Sequence, residues 1–322
     1  MDYKKIIKQN LANVLEASDL DGLGKKIKGK VRDIYEKDQK LVLITTDRQS
    51  AFDRNLAMIP FKGQVLTETS NFWFEQVKDI VPNHVLDLPD PNVVVAQKCK
   101  IFPIEFVVRG FLTGVTSTAV WTAYKNGERE FCGNHLPDNM VKNQHFEQPI
   151  ITPTTKSDEH DEKITPQEII EKNLMTAAEW EETSQLALSI FKRGQEIAAS
   201  HNLILVDTKY EFGYDENGNI ILCDEIHTPD SSRYWLKETY QKRIARGEEP
   251  ENIDKEFLRL WFKEHCDPYN DPELPAAPED LVIELSYRYI TLYEMITGRK
   301  MKFHTGDIRE RIKENLQKKG YL

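Results

Sequence analysis

Apolar and polar positions divide the chain into helix-like and strand-like stretches. Near the start, Ile6, Ile7, Leu11, Val14 and Leu15 form a helical stripe, so a helix is expected to about Ala17. "KGKVRDIYEKDQKLVLITTD" reads as two short strands around a polar turn. After "PFKGQ", the segment "VLTETSNFWFEQVKDI" has a helical pattern that ends at Pro82, and "NVVVAQKC" and "IEFVVRG" read as further strands. The first hundred or so residues are therefore expected to be mostly sheet. "PIITPTTKSDEHDEKITP" (149–166) is polar and marked by prolines, and predicts a loop long enough to carry function. "TAAEWEETSQLALSIFKRGQEIAASH" is the clearest helix. "NLILVDTKYEFG" and "NIILCDEI" are strands joined at "YDENGN", and two or three helices follow, broken by the proline-rich "CDPYNDPELPAAPED".

Alternation along "ILVDTKYEFG" places Asp207, Lys209 and Glu211 on one strand face. Asn217-Gly218 is a strong signal for a two-residue hairpin turn. With that turn, Glu211 is expected opposite Asp224, their Cβ atoms about 4.5–5.5 Å apart. Two like charges there repel unless something positive lies between them. A pair of carboxylates suits Mg²⁺, which keeps waters and takes phosphate oxygens from a nucleotide. A solvated hairpin with its acids facing water is the alternative. The apolar start "NLILV", and Lys209 between the acids, favour a site.

Composition narrows the class. The chain has 322 residues, 39% hydrophobic and 30% charged, which fits a globular protein with two domains or lobes. Its net charge of −10 argues against a general nucleic-acid binder, though not against a basic pocket for a phosphorylated metabolite. The four cysteines (Cys99, Cys132, Cys223, Cys266) form no CxxC pair and read as reduced thiols in a cytoplasmic protein. No signal-peptide core and no membrane-spanning apolar run is found, so no membrane partner is expected.

Other polar clusters are weaker taken singly. Gly29, Lys30, Val31 and Arg32 in "GKVRDIY" fit a glycine-permitted turn over nucleotide phosphates, and equally an exposed basic loop. "TTDRQSAFD" (45–53) ends a strand with Asp47, Arg48 and Asp53. "PIEFVVRGFLTG" puts Glu105, Val107 and Arg109 on one face, as a structural ion pair or as an arginine fork for a substrate oxyanion. "TPTTKSDEHD" carries Lys156, Asp158, His160 and Asp161, with His160 read as a hydrogen-bonded loop histidine. Asp230, Ser231 and Ser232 in "TPDSSR" look like caps of a helix beginning "RYWLKETY", where free amides also favour an anion.

In order and text, "GKVRDIY", "DRQSAFD", "PIEFVVRGFLTG", "TPTTKSDEHD", "LVDTKYEFG" and "DEIHTPDSSRYW" resemble the phosphoribosylaminoimidazole-succinocarboxamide synthase (SAICAR synthetase) family of de novo purine synthesis. They span residues 29 to 235. The resemblance implies an α+β, two-lobed fold with a kinase/ATP-grasp-like nucleotide cleft, here divided as a sheet-rich, ATP-covering lobe over 1–112 and a larger α/β lobe over 113–322. It implies an ATP-dependent ligase that joins carboxyaminoimidazole ribotide (CAIR) to L-aspartate through an acyl phosphate, releasing ADP and phosphate. ATP contacts are then expected from Gly29, Lys30, Val31, Arg32, Lys98, Lys156, Glu211 and Asp224, with Mg²⁺ on Glu211 and Asp224. Glu105, Arg109, Asp207, Asp230, Ser231, Ser232 and Arg233 would bind substrate, and Asp207, Lys209, Glu211 and Lys156 form the catalytic group. Asp207 would meet the ammonium of aspartate. Adenine is expected near Lys98–Phe102. The partners are small molecules only, and the protein is expected as a monomer or small homo-oligomer. One position departs from the family: the residue after "LTG" is usually serine and here is Val115, followed by Thr116 and Ser117.

Overall fold

The computed structural model describes residues 2–52, 54–116, 119–156, 162–253 and 256–322. It mixes helices and antiparallel sheets, an α+β fold. Two compact units are present. The first gathers Met1–Phe72, Val85–Lys98 and Ile253–Leu322; the second gathers Trp73–His84 and Cys99–Asn252. This partition differs from a division at 112/113, because sequence neighbours do not define the cores. The last helix, Ile308–Lys318, buries Ile308, Ile312 and Leu316 against Val42, Ile44, Val93 and Val95 of the first sheet.

Among the described residues, the first unit holds a five-stranded sheet in the order Lys25–Lys28, Arg32–Lys37, Lys40–Thr45, Val93–Gln97, Val85–Asp90. The expected hairpin forms at Asp38 and Gln39, both at positive φ (50° and 61°), so this two-residue turn follows the twist of its strands. A second core packs Ile59, Phe61, Val65 and Leu66 against Leu258, Phe262, Leu285 and Tyr289 of the helices Glu256–His265 and Glu279–Thr297. The N-terminal helix covers only Tyr3–Gln9, short of Ala17: Asn10 caps its end and turns its amide back onto the Ile6 carbonyl at 2.9 Å.

The second unit is built on the long strand Leu203–Tyr214. Ile104–Phe111 and Ser232–Leu236 pair with its first part, Lys100–Ile101 and Ile220–Cys223 with its end. The helix Ala177–Ser200 covers this sheet with Ala187, Ile190, Phe191 and Ala198, and starts in a capping box of Thr176 and Glu179. Two expectations are corrected here. The stretch expected as a loop contains strand: His145–Ile151 and Thr154–Thr155 both pair with Ile104–Phe111, which satisfies their backbone groups. And Asp230, Ser231 and Ser232 cap no helix. The β-prone Arg233-Tyr234-Trp235 continues as strand, and the helix begins only at Lys237.

Candidate active site

Strand alternation delivers the polar face as expected. Asp207 has Arg109 as its register partner on one neighbouring strand and Arg233 on the other. Its Oδ2 lies 3.8 Å from Arg109 Nη1 and 3.6 Å from Arg233 Nη1, buried and without a hydrogen bond. Burial lowers the Arg109 pKa, the Asp207 charge opposes that, and the nearby Arg233 adds to the lowering. Arg109 Nε is oriented by the Thr152 hydroxyl at 2.8 Å. Glu105 and Arg109 therefore do not pair with each other: Glu105 turns to Lys209, and Arg109 to Asp207.

Two residues along the same face, Lys209 Nζ donates to Glu105 Oε1 at 2.7 Å and to Glu211 Oε1 at 3.0 Å, and lies 3.8 Å from Asp224 Oδ2. Lys156 bonds the other oxygen of Glu211. Burial works to lower the Lys209 pKa, but the carboxylates of Asp224, Glu211 and Glu105 outweigh it and hold the ammonium well above the usual lysine range.

The route to this convergence differs from the expected one. The residue opposite Glu211 is Cys223, not Asp224. Asp215 and Asn219 close a turn with three residues between them, one more than the Asn217-Gly218 pattern implies, and the register moves by one. Asp224 still reaches the cluster because it leaves the strand at φ +63°. Among the described residues no set of three or more His, Cys, Asp or Glu is arranged to hold a metal alone. The pair Glu211 and Asp224 nonetheless fits a hard dication, which needs few protein oxygens when nucleotide and water supply the rest. Lys156 and Lys209 supply the positive charge beside these two carboxylates.

The turn after Asp224 folds around the buried Thr228. Its hydroxyl donates to Glu225 at 2.7 Å and accepts from the amides of Asp230 and Ser231 at 3.3 and 3.2 Å; the Ser232 hydroxyl donates to Thr208 at 2.7 Å. Beneath it, His227, also at positive φ (51°), is fully buried with Nε2 against the Tyr210 hydroxyl, and burial pushes its pKa down to about 3. Gly194 makes room for this ring: a Cβ there would lie 2.4 Å from His227 Cε1.

Sequence reasoning missed the residues that hold Arg233. Thr113 accepts from Arg233 Nη1 at 3.4 Å and donates to Asn143 Oδ1 at 2.6 Å; Asn143 Nδ2 donates to Glu249 at 2.9 Å. Thr113 lies inside the quoted "LTG", but no spacing signals Asn143 or Glu249. Val115 is 64% exposed. Ser117, Asp53, Asp158, His160 and Asp161 lie outside the described residues.

The remaining expected ATP contacts belong to the first unit. Arg48 donates to the carbonyls of Gly29 (3.0 Å) and Lys30 (3.2 Å) and to Asp33 (3.0 Å), while Thr46 bonds the Val31 carbonyl, so the Gly29–Arg32 turn rests on a buried guanidinium. Asp47 accepts from the amides of Leu15 and Gly63; burial pushes its pKa up to about 6 against those bonds. The "DRQSAFD" cluster thus acts here as a brace. Lys98 pairs with Glu36.

The SAICAR synthetase family profile matches residues 25–275. The phosphoribosylaminoimidazole-succinocarboxamide synthase of Legionella pneumophila (strain Paris) is 59% identical over 297 residues, 92% of this chain and 95% of that protein. The chloroplastic enzyme of that name from Arabidopsis thaliana is 60% identical over 299 residues, 92% of this chain and 73% of the relative. The structure of SAICAR-synthase from Saccharomyces cerevisiae, complexed with SAICAR, superposes with a TM-score of 0.78 at 33% identity, covering 90% of this chain and all of that one. By family profile and by relatives matching along most of its length, the chain belongs to the SAICAR synthetase family.

Proposed function

We propose that this protein is an ATP-dependent ligase that joins the carboxylate of CAIR to the amine of L-aspartate, giving SAICAR, ADP and phosphate. The observation that carries the reading is the division of one strand face into two charged stations. Asp207 gathers two arginines, and Lys209 and Glu211, with Asp224, form an acid–lysine cluster. From position 207 to 211 the strand rises about 13 Å, enough to separate a ribotide phosphate from a nucleotide phosphate. The yeast relative holding SAICAR supports the substrate class.

In this reading Arg109 and Arg233, with Ser232 and the turn at Asp230 and Ser231, bind the ribotide phosphate. Glu105 keeps Lys209 aimed at the reacting carboxylate. Glu211 and Asp224 would hold Mg²⁺, which when bound neutralises nucleotide phosphate charge. Lys156 would move from Glu211 to those phosphates. A carboxylate oxygen of CAIR attacks the γ-phosphorus of ATP and ADP leaves. Asp207 takes a proton from the aspartate ammonium, the freed amine attacks the acyl carbon, and the departing phosphate carries off the second N–H proton as the amide forms. Asp207 would present an oxygen to the aspartate ammonium once the ribotide phosphate neutralises its two guanidinium neighbours. Gly29, Lys30, Val31, Arg32 and Lys98 are proposed ATP contacts on the strength of the resemblance. We further propose a cytoplasmic protein, monomer or small homo-oligomer. Its four cysteines are free, and no described helix is long and apolar enough to cross a membrane.

The test is ADP release by purified protein, expected only with CAIR and aspartate together. Release with CAIR and glutamate instead would reassign the amine substrate. Val115 motivates the second reading, a related ATP-dependent kinase or ligase for another small phosphorylated carboxylate. ADP release with such a compound and not with CAIR would select it.

A further inference from the structure

Residues 150–156 run beside the strand Ile104–Phe111 and turn alternate side chains to its charged face. Ile150 stands opposite Arg109 and Thr154 opposite Glu105; Thr152 falls between them, with its amide on the Val107 carbonyl at 2.8 Å. Thr154 donates to Glu105 Oε2 at 3.4 Å, and Lys156 bonds Glu211. Each polar side chain of this row thus meets an ionised group of the site, and the partner of Thr152 is Arg109. The buried Thr152 hydroxyl donates its own proton to the Val107 carbonyl at 3.3 Å, which leaves its lone pairs to accept from Arg109 Nε at 2.8 Å. Pro153 holds the residue before it extended, and the β-branch of Thr152 restricts its χ1, so the acceptor stands at a fixed place.

A guanidinium offers an oxyanion two paired edges: Nε with one Nη, or the two Nη together. Thr152 occupies the first. Among the described residues Nη1 and Nη2 of Arg109 have no hydrogen-bond partner, Nη1 standing 3.8 Å from Asp207 Oδ2. We propose that Thr152 is a positioning residue for the ligase reaction: by holding Nε it fixes the plane of Arg109, so that the ribotide phosphate of CAIR is taken end-on by Nη1 and Nη2. This rests on Arg109 as a phosphate ligand, as proposed above. Orienting the side chain before the phosphate arrives lowers the ordering cost of binding. A lysine at 109 has neither Nε nor a planar fork, so the hydroxyl could not orient it in this way.

Thr152→Val keeps the shape of the side chain and the backbone bond to Val107, and removes the acceptor. Calorimetry with CAIR reads binding without turnover, and steady-state ADP formation reads the reaction. The expected result is that Kd and KM for CAIR each rise about tenfold, with kcat changed less and KM for ATP unchanged. Thr152→Ser, which keeps the hydroxyl, should restore the parent values. Arg109→Lys should weaken CAIR at least as much, and adding Thr152→Val to it should cost nothing further, since no fork remains to be oriented. Thr152→Ala serves if Thr152→Val fails to fold. Three results overturn the proposal alone: Arg109→Lys weakens CAIR while Thr152→Val does not, Thr152→Ser is as weak as Thr152→Val, or the two losses add in the double variant. If Arg109→Lys leaves CAIR binding unchanged, or the parent binds no CAIR, the phosphate assignment fails and this inference with it.

Discussion

The Thr113 hydroxyl donates to Asn143 Oδ1 across 2.6 Å, and both side chains are buried. Asn143 takes positive φ (65°), and its backbone carbonyl accepts from the Tyr240 hydroxyl at 2.8 Å. Glu249 receives the amide hydrogen on the far side. Its pKa is raised by burial but held low on balance by bonds from Lys142 and Asn143 and by the charges of Lys142 and Arg233. The chain from Glu249 through Asn143 and Thr113 therefore ends on the Arg233 guanidinium. Asn143→Ala leaves a buried hydroxyl and a carboxylate each short of a partner, which costs about 1–3 kcal/mol. The expected kinetic result is a KM for CAIR raised about tenfold with kcat changed less, the pattern of lost binding. A variant with normal KM and lowered stability would leave Asn143 with packing alone.

Asp224→Asn is expected to lower turnover by about a hundredfold or more, since in the proposed site it removes one of the two carboxylates that would hold Mg²⁺ against the nucleotide phosphates. Folding should be nearly unaffected, because Lys209 retains Glu105 and Glu211. Steady-state ADP formation and a thermal melt without metal check both halves. A large fall in Tm would contradict the assignment.

Val115→Ser restores the hydroxyl usual after "LTG". Because Val115 is exposed, the change costs little packing. If this position faces the ribotide phosphate, KM for CAIR falls severalfold, by about 1 kcal/mol for one added hydrogen bond. An unchanged KM would show that another hydroxyl already serves.

His227 makes stability depend on acid. Its folded pKa of about 3 lies below the ordinary value of 6.5, so between these the unfolded chain binds the proton and the folded chain does not. The sign follows: the contribution is complete above pH 6.5 and is lost as pH falls toward 3, at up to about 1.4 kcal/mol per pH unit. Urea melts from pH 7 to pH 4 should show this slope, and His227→Gln should flatten it. An equally steep variant would assign the slope to other groups.

Much of the site is legible because a strand's period of two is simple: it puts Asp207, Lys209 and Glu211 on one face from the sequence alone. The register of the acids is not, since Asn-Gly marks a turn without fixing its length, and one added residue exchanged Cys223 for Asp224. Asp230, Ser231 and Ser232 have the composition of a helix cap, but backbone pairing to the long strand overrode that local preference. Asn143 and Glu249 join the site through tertiary packing between distant segments, and no local pattern encodes them.

The interrupted sequence of the first unit has a consequence for synthesis. A ribosome that has delivered the N-terminal sheet strands must make the whole of the second unit before the residues numbered 253–322 emerge. Until then Val42, Ile44, Val93 and Val95 lack the helix that shields them. The nascent chain thus carries an uncovered apolar sheet for about 210 residues of elongation, from Gln97 to the helix at Ile308, at 5–20 residues per second roughly ten to forty seconds. Chaperone demand should peak in that interval, and premature termination near residue 250 should yield insoluble product.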